Sequence, residues 1–201
     1  MAVKLNKNRM QLSRLLMLGI VFIGLFCRTM FGEKEALHET LELFGYILVC
    51  LCAFGRVYSS AFIGGKKNTA LITWGPYSLC RNPLYFFSFL GIVGIAALTT
   101  SVTAIAIAAV AVWFLYDQLI SREEVFLKEK FGAAFDEFVR TTPRFFPSFR
   151  RYTCPDEVTL QPKYLMFAVL DAIWWFVPYP VFELMDHFRE TGTFATSLYI
   201  P

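Results

Sequence analysis

Two short runs of this chain carry side chains that can do chemistry together. The first is Arg81-Asn82-Pro83-Leu84-Tyr85, which follows Gly75-Pro76-Tyr77 and leads directly into an apolar stretch. Gly-Pro breaks the chain, and Pro83 sits where a helix start tolerates proline. Arg81, Asn82 and Tyr85 therefore crowd the N-terminal end of a helix, where the macrodipole favours an anion. The second run is Arg122-Glu123-Glu124. Paired acids beside a bilayer are costly unless a cation or a hydrogen-bond donor meets them, which calls for Arg81, Arg122 or a bound ligand. Taken separately, each run has a plainer explanation. The first reads as an interfacial anchor, with Arg snorkelling and Tyr in the aromatic belt. The second reads as a helix-surface charge run in which a pair such as Glu123 and Lys128 contributes about a few tenths of a kcal/mol. His38 and His187 are isolated, and the chain has no G-x-S-x-G, P-loop, H-E-x-x-H or G-x-G-x-x-G. Cysteines at 27, 50, 52, 80 and 154 are odd in number and form no C-x-x-C, so neither a disulfide framework nor a metal site is expected.

Whether the two runs meet depends on the apolar stretches around them. The 201 residues are 56% hydrophobic and only 17% charged, and 22 of them are Phe. A soluble domain carries about 25% charged residues, so this composition excludes a plain cytosolic domain and intrinsic disorder and leaves an integral membrane protein. A net charge of +3 is too small to suggest a nucleic-acid partner. Residues 12–31 form a first apolar segment behind Lys4, Lys7 and Arg9. With no small-x-small cleavage site following, it is expected to be a retained span rather than a leader. An acidic turn follows, then a second span over residues 41–63 and a basic loop, Gly64-Gly65-Lys66-Lys67-Asn68-Thr69. The charge asymmetry puts the N-terminus and this loop on the cytoplasmic side.

Residues 83–120 are nearly uncharged until Asp117 and divide at Thr99-Thr100-Ser101, which predicts two short spans, 84–98 and 102–120, joined by a tight turn. Gly91 and Gly94 on one arm, with Ala104, Ala106, Ala108, Ala109 and Ala111 on the other, are expected to allow close helix contact. A hairpin returns its chain to the side it left, so the Arg81–Tyr85 end and the Glu123-Glu124 end must be neighbours on one membrane face. Residues 121–151 read as an amphipathic helix or pair of helices, broken near Gly132 and stopped by Pro143. Residues 164–185 read as a kinked fifth span interrupted by Asp171, Pro178, Pro180 and Glu183, with a re-entrant or interfacial segment as the alternative. The expected fold class is all-α: a polytopic helical membrane protein of about five spans. Its three regions are residues 1–63, a core over 64–147, and an extension over 148–201.

The order GPYSLCRNPLY, short hairpin, REEVFLKEKFGAAFDEFVRTTPRFFP resembles the isoprenylcysteine carboxyl methyltransferase family, whose superfamily also includes the phospholipid methyltransferases. The resemblance covers residues 69–147. It implies that S-adenosylmethionine binds in a cytoplasmic pocket over the hairpin, with contacts at Thr69, Ala70, Leu71, Ile72, Tyr77, Asn82, Pro83, Leu84, Tyr85 and Glu123. The residue chemistry agrees. A strand over residues 69–72 can offer backbone to an adenine edge, and Tyr77 and Tyr85 can wall a nucleoside. Glu123 can meet an ammonium or ribose hydroxyls, and Arg81 a carboxylate. Four positions depart from the family pattern, in three ways. Asn82 stands where the family has histidine, and Asn cannot shuttle a proton near neutral pH. Leu119 stands where the prenylcysteine enzymes carry an arginine for the substrate carboxylate. Phe135 and Phe138 replace two tyrosines.

The implied reaction is methyl transfer to a lipid or isoprenoid-like acceptor, for which an anionic head is the preferred form. Arg56, Lys66, Lys67, Glu124 and Arg144 are the candidates to meet that acceptor, although the basic residues serve equally well as topology determinants. Two other readings remain open. One is an NADPH-dependent reductase, because membrane sterol reductases have a similar C-terminal module. The other is a non-enzymatic protein that binds lipid or a partner helix through its Phe-rich faces.

Overall fold

The computed structural model describes residues 36–191, together with 15, 18, 19, 27–29 and 198–200. The expected first span, residues 12–31, lies outside the described residues apart from the positions just named. The described chain is helical: α1 (Ala36–Ile63), a one-turn α2 (Pro76–Leu79), α3 (Pro83–Ala97), α4 (Val102–Phe131), α5 (Ala133–Thr141), α6 (Pro162–Ile173) and α7 (Pro178–Glu190). A parallel pair of three-residue strands, β1 (Cys27–Thr29) and β2 (Leu198–Ile200), is the one departure from the expected all-α class among the described residues.

Among the described residues, three units are long and apolar enough to cross a membrane: α1, α4, and the stretch from Pro162 to Met185 that contains α6 and the start of α7. The last is kinked, as the sequence predicts, with turns at residues 174–177 and Pro178 opening α7. Fifteen residues make α3 about 22 Å long, short of the roughly 30 Å hydrocarbon core. The hairpin tip falls at Thr99-Thr100-Ser101, where the Ser101 hydroxyl accepts from the Ala104 amide and caps α4. One sequence expectation needs correction. The amphipathic stretch after Ser121 is not a separate helix but the second half of α4, because nothing between Ile120 and Ser121 breaks the helix. It runs on to Gly132, whose φ of +53° ends it.

The bundle is organised around α1, which packs antiparallel to α3 on one side and to α6 on the other. A Cβ on Gly45 of α1 would lie 2.7 Å from the Gly94 carbonyl oxygen of α3, so the two backbones approach as only glycine permits. This corrects the expected partner of the small residues. Gly94 meets α1, Gly91 meets Cys52 of α1 and Trp175, and on α4 Ala106 and Ala111 are exposed while Ala108 is buried. Between α3 and α4, Tyr85 packs on Tyr116 at 5.2 Å and Phe89 on Trp113 at 6.5 Å, in one core cluster with Ile92, Ala96, Ala108 and Val112. Phe54, Ile107, Phe114 and Phe167 face outward, as lipid-facing positions do. Gly94→Leu is expected to push α1 and α3 apart and cost about 2–3 kcal/mol. Ala111→Leu, on an exposed face, should leave the thermal midpoint in detergent unchanged.

A second cluster caps one end of the bundle. Phe62, Ile72, Tyr77, Phe135 and Phe138 bring the end of α1, the 64–75 loop, α2 and α5 together. Gly75 makes this possible: its φ is +60°, and the ring of Phe62 occupies the space where a Cβ would stand.

Candidate functional site

The loop after α1 is held by its own backbone. Lys66 O accepts from the amides of Thr69 and Ala70 and from the Thr69 hydroxyl, and Asn68 takes a left-handed φ of +64°, which Asn tolerates. Residues 71–73 that follow lack regular secondary structure, so the expected strand over 69–72 is absent. The turn at Thr69 consumes the hydrogen bonds a strand would need.

This loop, the start of α3 and the continued α4 enclose one cleft of about 570 Å³, its open mouth included. Ala70, Leu71, Ile72, Tyr77, Arg81, Asn82, Pro83, Leu84, Tyr85 and Glu123 all line it. Of the residues expected at a cofactor, Thr69 alone is not among the lining; it is exposed on the turn. Ile63, Lys67, Asn68, Leu127 and Phe138 complete the walls. Lys67 is among the residues expected at the acceptor; Leu127 and Phe138 are not among the expected contacts. A signal existed: Leu127 lies four residues beyond Glu123, hence on the same helix face.

The paired acids have separate duties. Glu123 points into the cleft, where Oε2 accepts from the Tyr85 hydroxyl at 3.0 Å and Oε1 lies 3.3 Å from Lys67 Nζ. Glu124 turns to the other side. Its Oε1 is 3.0 Å from both Nε and Nη2 of Arg81, and its Oε2 is 3.3 Å from Arg144 Nε. Arg81 Nη1 also donates to the carbonyls of Val139 and Thr142 at the end of α5, at 2.9 and 3.2 Å. Arg144 reaches back to Asp117 and to the Ser121 hydroxyl. Asn82 donates to the Arg144 carbonyl at 3.0 Å. Glu124, Arg81, Arg144 and Asn82 thus tie the hairpin mouth to the chain after α5. Arg81 lines the cleft but has most of its donors engaged, which leaves Lys67 as the cation better placed for an anionic group of a ligand.

The remaining candidates fall elsewhere. Lys66 reaches the Thr159 carbonyl at 3.1 Å on the exposed side of the loop. Arg56 is buried within the bundle against Ser88 and Asp171. Arg122 is exposed. Leu119 packs against the bundle core, and Phe135 is buried in the cap of the cleft. Among the described residues, no group of three or more His, Cys, Asp and Glu side chains is arranged to hold a metal ion.

Cys80 lies next to the cleft without serving as a nucleophile. Burial pushes its thiol up to about 12, the Asn82 backbone offsetting this in part. A group that folding keeps protonated contributes stability that is lost as pH rises from its unfolded value near 9 toward 12. Wild-type stability is therefore expected to fall between pH 9 and the highest pH the fold survives, with a slope approaching about 1.4 kcal/mol per pH unit. Cys80→Ala should flatten this decline in detergent unfolding curves. An equal decline in both proteins would contradict it.

The family model for phospholipid methyltransferases matches residues 41–134, from α1 into the start of α5. Over 148 residues the chain is 36% identical to the cobalt-zinc-cadmium resistance protein CzcN of Cupriavidus metallidurans, covering 74% of this chain and 68% of that protein. Over 194 residues it is 31% identical to the nickel-cobalt-cadmium resistance protein NccN of Alcaligenes xylosoxydans xylosoxydans, covering 95% and 90%. No solved structure matches the chain.

Proposed function

The chain belongs to the phospholipid methyltransferase family, and from that premise we propose that it is an S-adenosylmethionine-dependent membrane enzyme that methylates a lipid or isoprenoid-like acceptor. The observation that carries the reading is the position of Glu123, set between Lys67 and Tyr85 in a cleft walled by Tyr77, Leu127 and the backbone of residues 70–72. The donor set fits an amino-acid nucleoside. Glu123 suits its ammonium or its ribose hydroxyls, Lys67 suits its carboxylate, and the backbone of residues 70–72 suits a base edge. S-adenosylmethionine would supply a sulfonium methyl that an anionic oxygen or a neutral amine attacks without a strong general base. The chain's own task is to align the two partners at about 3–3.5 Å and to exclude water. Asn82 in place of a histidine is compatible with this, because its amide already serves the Arg144 carbonyl and no proton has to pass through it.

The cleft is assigned to the cytoplasmic side. Lys66, Lys67, Lys128, Lys130 and Arg140 cluster at its end of the bundle, while Glu39, Glu42 and Glu183 gather at the other. The relatives are named for resistance to cobalt, zinc, cadmium and nickel, and a physical link is available. Methylating an anionic oxygen removes one negative charge from a membrane surface, and with it some of the attraction for divalent cations. Isothermal titration of the purified protein with S-adenosylhomocysteine and NADPH tests the cofactor, binding of the first alone being expected. Mass spectrometry of total lipids from cells with and without the protein tests the product, a gain of one methyl group being expected. Binding of NADPH alone, or of neither compound, would overturn the reading.

A further inference from the structure

Arg56 occupies a place where a charge is expensive. It is 8% exposed on α1 and lies one turn before Ser59, whose carbonyl oxygen receives the Tyr77 hydroxyl of the cleft wall. Its Nη1 donates to Ser88, which lies one turn along α3 from the cleft residue Leu84 and donates to the Leu84 carbonyl. The guanidinium therefore sits about one helical turn, roughly 5 Å, beneath the cleft toward the membrane interior. Nη2 pairs with Asp171 of α6, and the cation lies 5.3 Å from the ring centroid of Trp175. Its Nε is buried with no partner. A guanidinium is built to hold a carboxylate or phosphate with two parallel donors, and here one buried donor is left over.

The residue opposite Arg56 has its own character. Asp171 and Trp175 come from chain beyond the family match, which ends at residue 134. The side chain of Asp171 is 21% exposed against 10% for Arg56, so Asp171 is the more accessible member of the pair. The helix that carries Asp171 breaks immediately afterwards, at residues 174–177. A buried cation cannot lose its anion without a large desolvation cost, so an acceptor that displaces Asp171 must bring an anionic oxygen of its own. A neutral head group cannot make that exchange.

We propose that Arg56 is the receptor for the anionic head of the acceptor, and that Asp171 is an internal stand-in carboxylate which the acceptor displaces as it enters from the bilayer between α1 and α6. The use made of the bound acceptor rests on the methyltransferase reading; its binding does not. In the transfer, an electron pair on the acceptor oxygen forms the new carbon–oxygen bond as the methyl–sulfur bond breaks. The sulfonium becomes a neutral thioether, no proton is released, and the acceptor loses its negative charge. The product can then no longer compete with Asp171 for Arg56, so charge neutralisation also drives release.

The test is equilibrium binding of radiolabelled oleate and of methyl oleate to the full chain in phosphatidylcholine nanodiscs, with phosphatidate as a competitor to distinguish carboxylate from phosphate heads. Asp171→Asn is expected to tighten oleate about tenfold with methyl oleate unchanged, the gain of one charge-assisted contact freed from competition. Arg56→Gln should reduce oleate to the affinity of methyl oleate. The double variant Arg56→Met with Asp171→Met removes both charges, so it keeps the fold if either single variant does not, and it should show no preference for the anion. S-adenosylhomocysteine affinity should stay at the wild-type value throughout. An oleate-to-methyl oleate ratio unmoved by Asp171→Asn, or a preference that survives in the double variant, overturns the proposal and makes the pair a helix tie. If the ratios shift as expected while the wild type binds no S-adenosylhomocysteine, the acceptor site stands and the methyltransferase reading falls.

Discussion

Glu123→Ala is expected to weaken S-adenosylhomocysteine binding about 10- to 100-fold while leaving the thermal midpoint nearly unchanged. The estimate comes from the loss of charge-assisted hydrogen bonds, each about 1.5–3 kcal/mol, with about 1.4 kcal/mol per tenfold in affinity. The fold should tolerate the change because Glu123 faces the cleft, whose walls include its partners Lys67 and Tyr85. Glu123→Gln keeps an acceptor for the Tyr85 hydroxyl and loses the charge, so it should fall between the two. Lys67→Gln provides a check on direction. If Lys67 meets a ligand carboxylate, its loss weakens binding; if it merely neutralises Glu123, its loss leaves binding unchanged or tighter. Titration calorimetry on the three variants separates these cases, and wild-type affinity in Glu123→Ala would remove the residue from the site.

Its neighbour should behave in the opposite way. Glu124→Ala is expected to cost about 3 kcal/mol of stability, the low end for breaking a buried ion pair. Glu124 bridges Arg81 and Arg144, and Arg81 is 10% exposed, so removal strands Arg81 with little water around it. The low end applies because Arg81 keeps the Val139 and Thr142 carbonyls and Arg144 keeps Asp117. The loosening should be local. Hydrogen exchange is expected to rise in α5 and in residues 142–146 before it rises in α1 or α3. Ligand affinity should fall only in proportion to the unfolded fraction. A Glu124→Ala protein of normal stability that no longer binds ligand would reverse the roles assigned to the two acids.

The hairpin was legible because its signals are local. Pro83, the Thr99-Thr100-Ser101 interruption and Gly132 punctuate the apolar run, and a hairpin must bring Tyr85 and Glu123 to one end. The division of labour between Glu123 and Glu124 was not legible. Which of two adjacent acids faces a cleft depends on helix rotation, and that is fixed by Tyr116, Val112 and Ile120 packing into the bundle. The continuity of α4 was missed because a change from apolar to polar composition looks like a boundary, although only glycine or proline need break the backbone. Long-range partners were also invisible. Gly45 meets Gly94 and Arg56 meets Asp171 across separations that no periodicity encodes. Arg56 therefore groups with Lys66 and Lys67 by sequence, whereas in the fold it is the buried cation among α1, α3 and α6.

The claim on which the rest depends is that a single nucleoside-bearing ligand lies among Tyr77, Tyr85 and Glu123. Ultraviolet crosslinking of methyl-labelled S-adenosylmethionine to the purified protein, followed by tryptic mapping, addresses it most directly. Label competed away by S-adenosylhomocysteine and concentrated in the peptide of residues 68–81, which carries Trp74 and Tyr77, is the expected result. Competed label confined to peptides from α6 and α7, or no competed label at all, would contradict it.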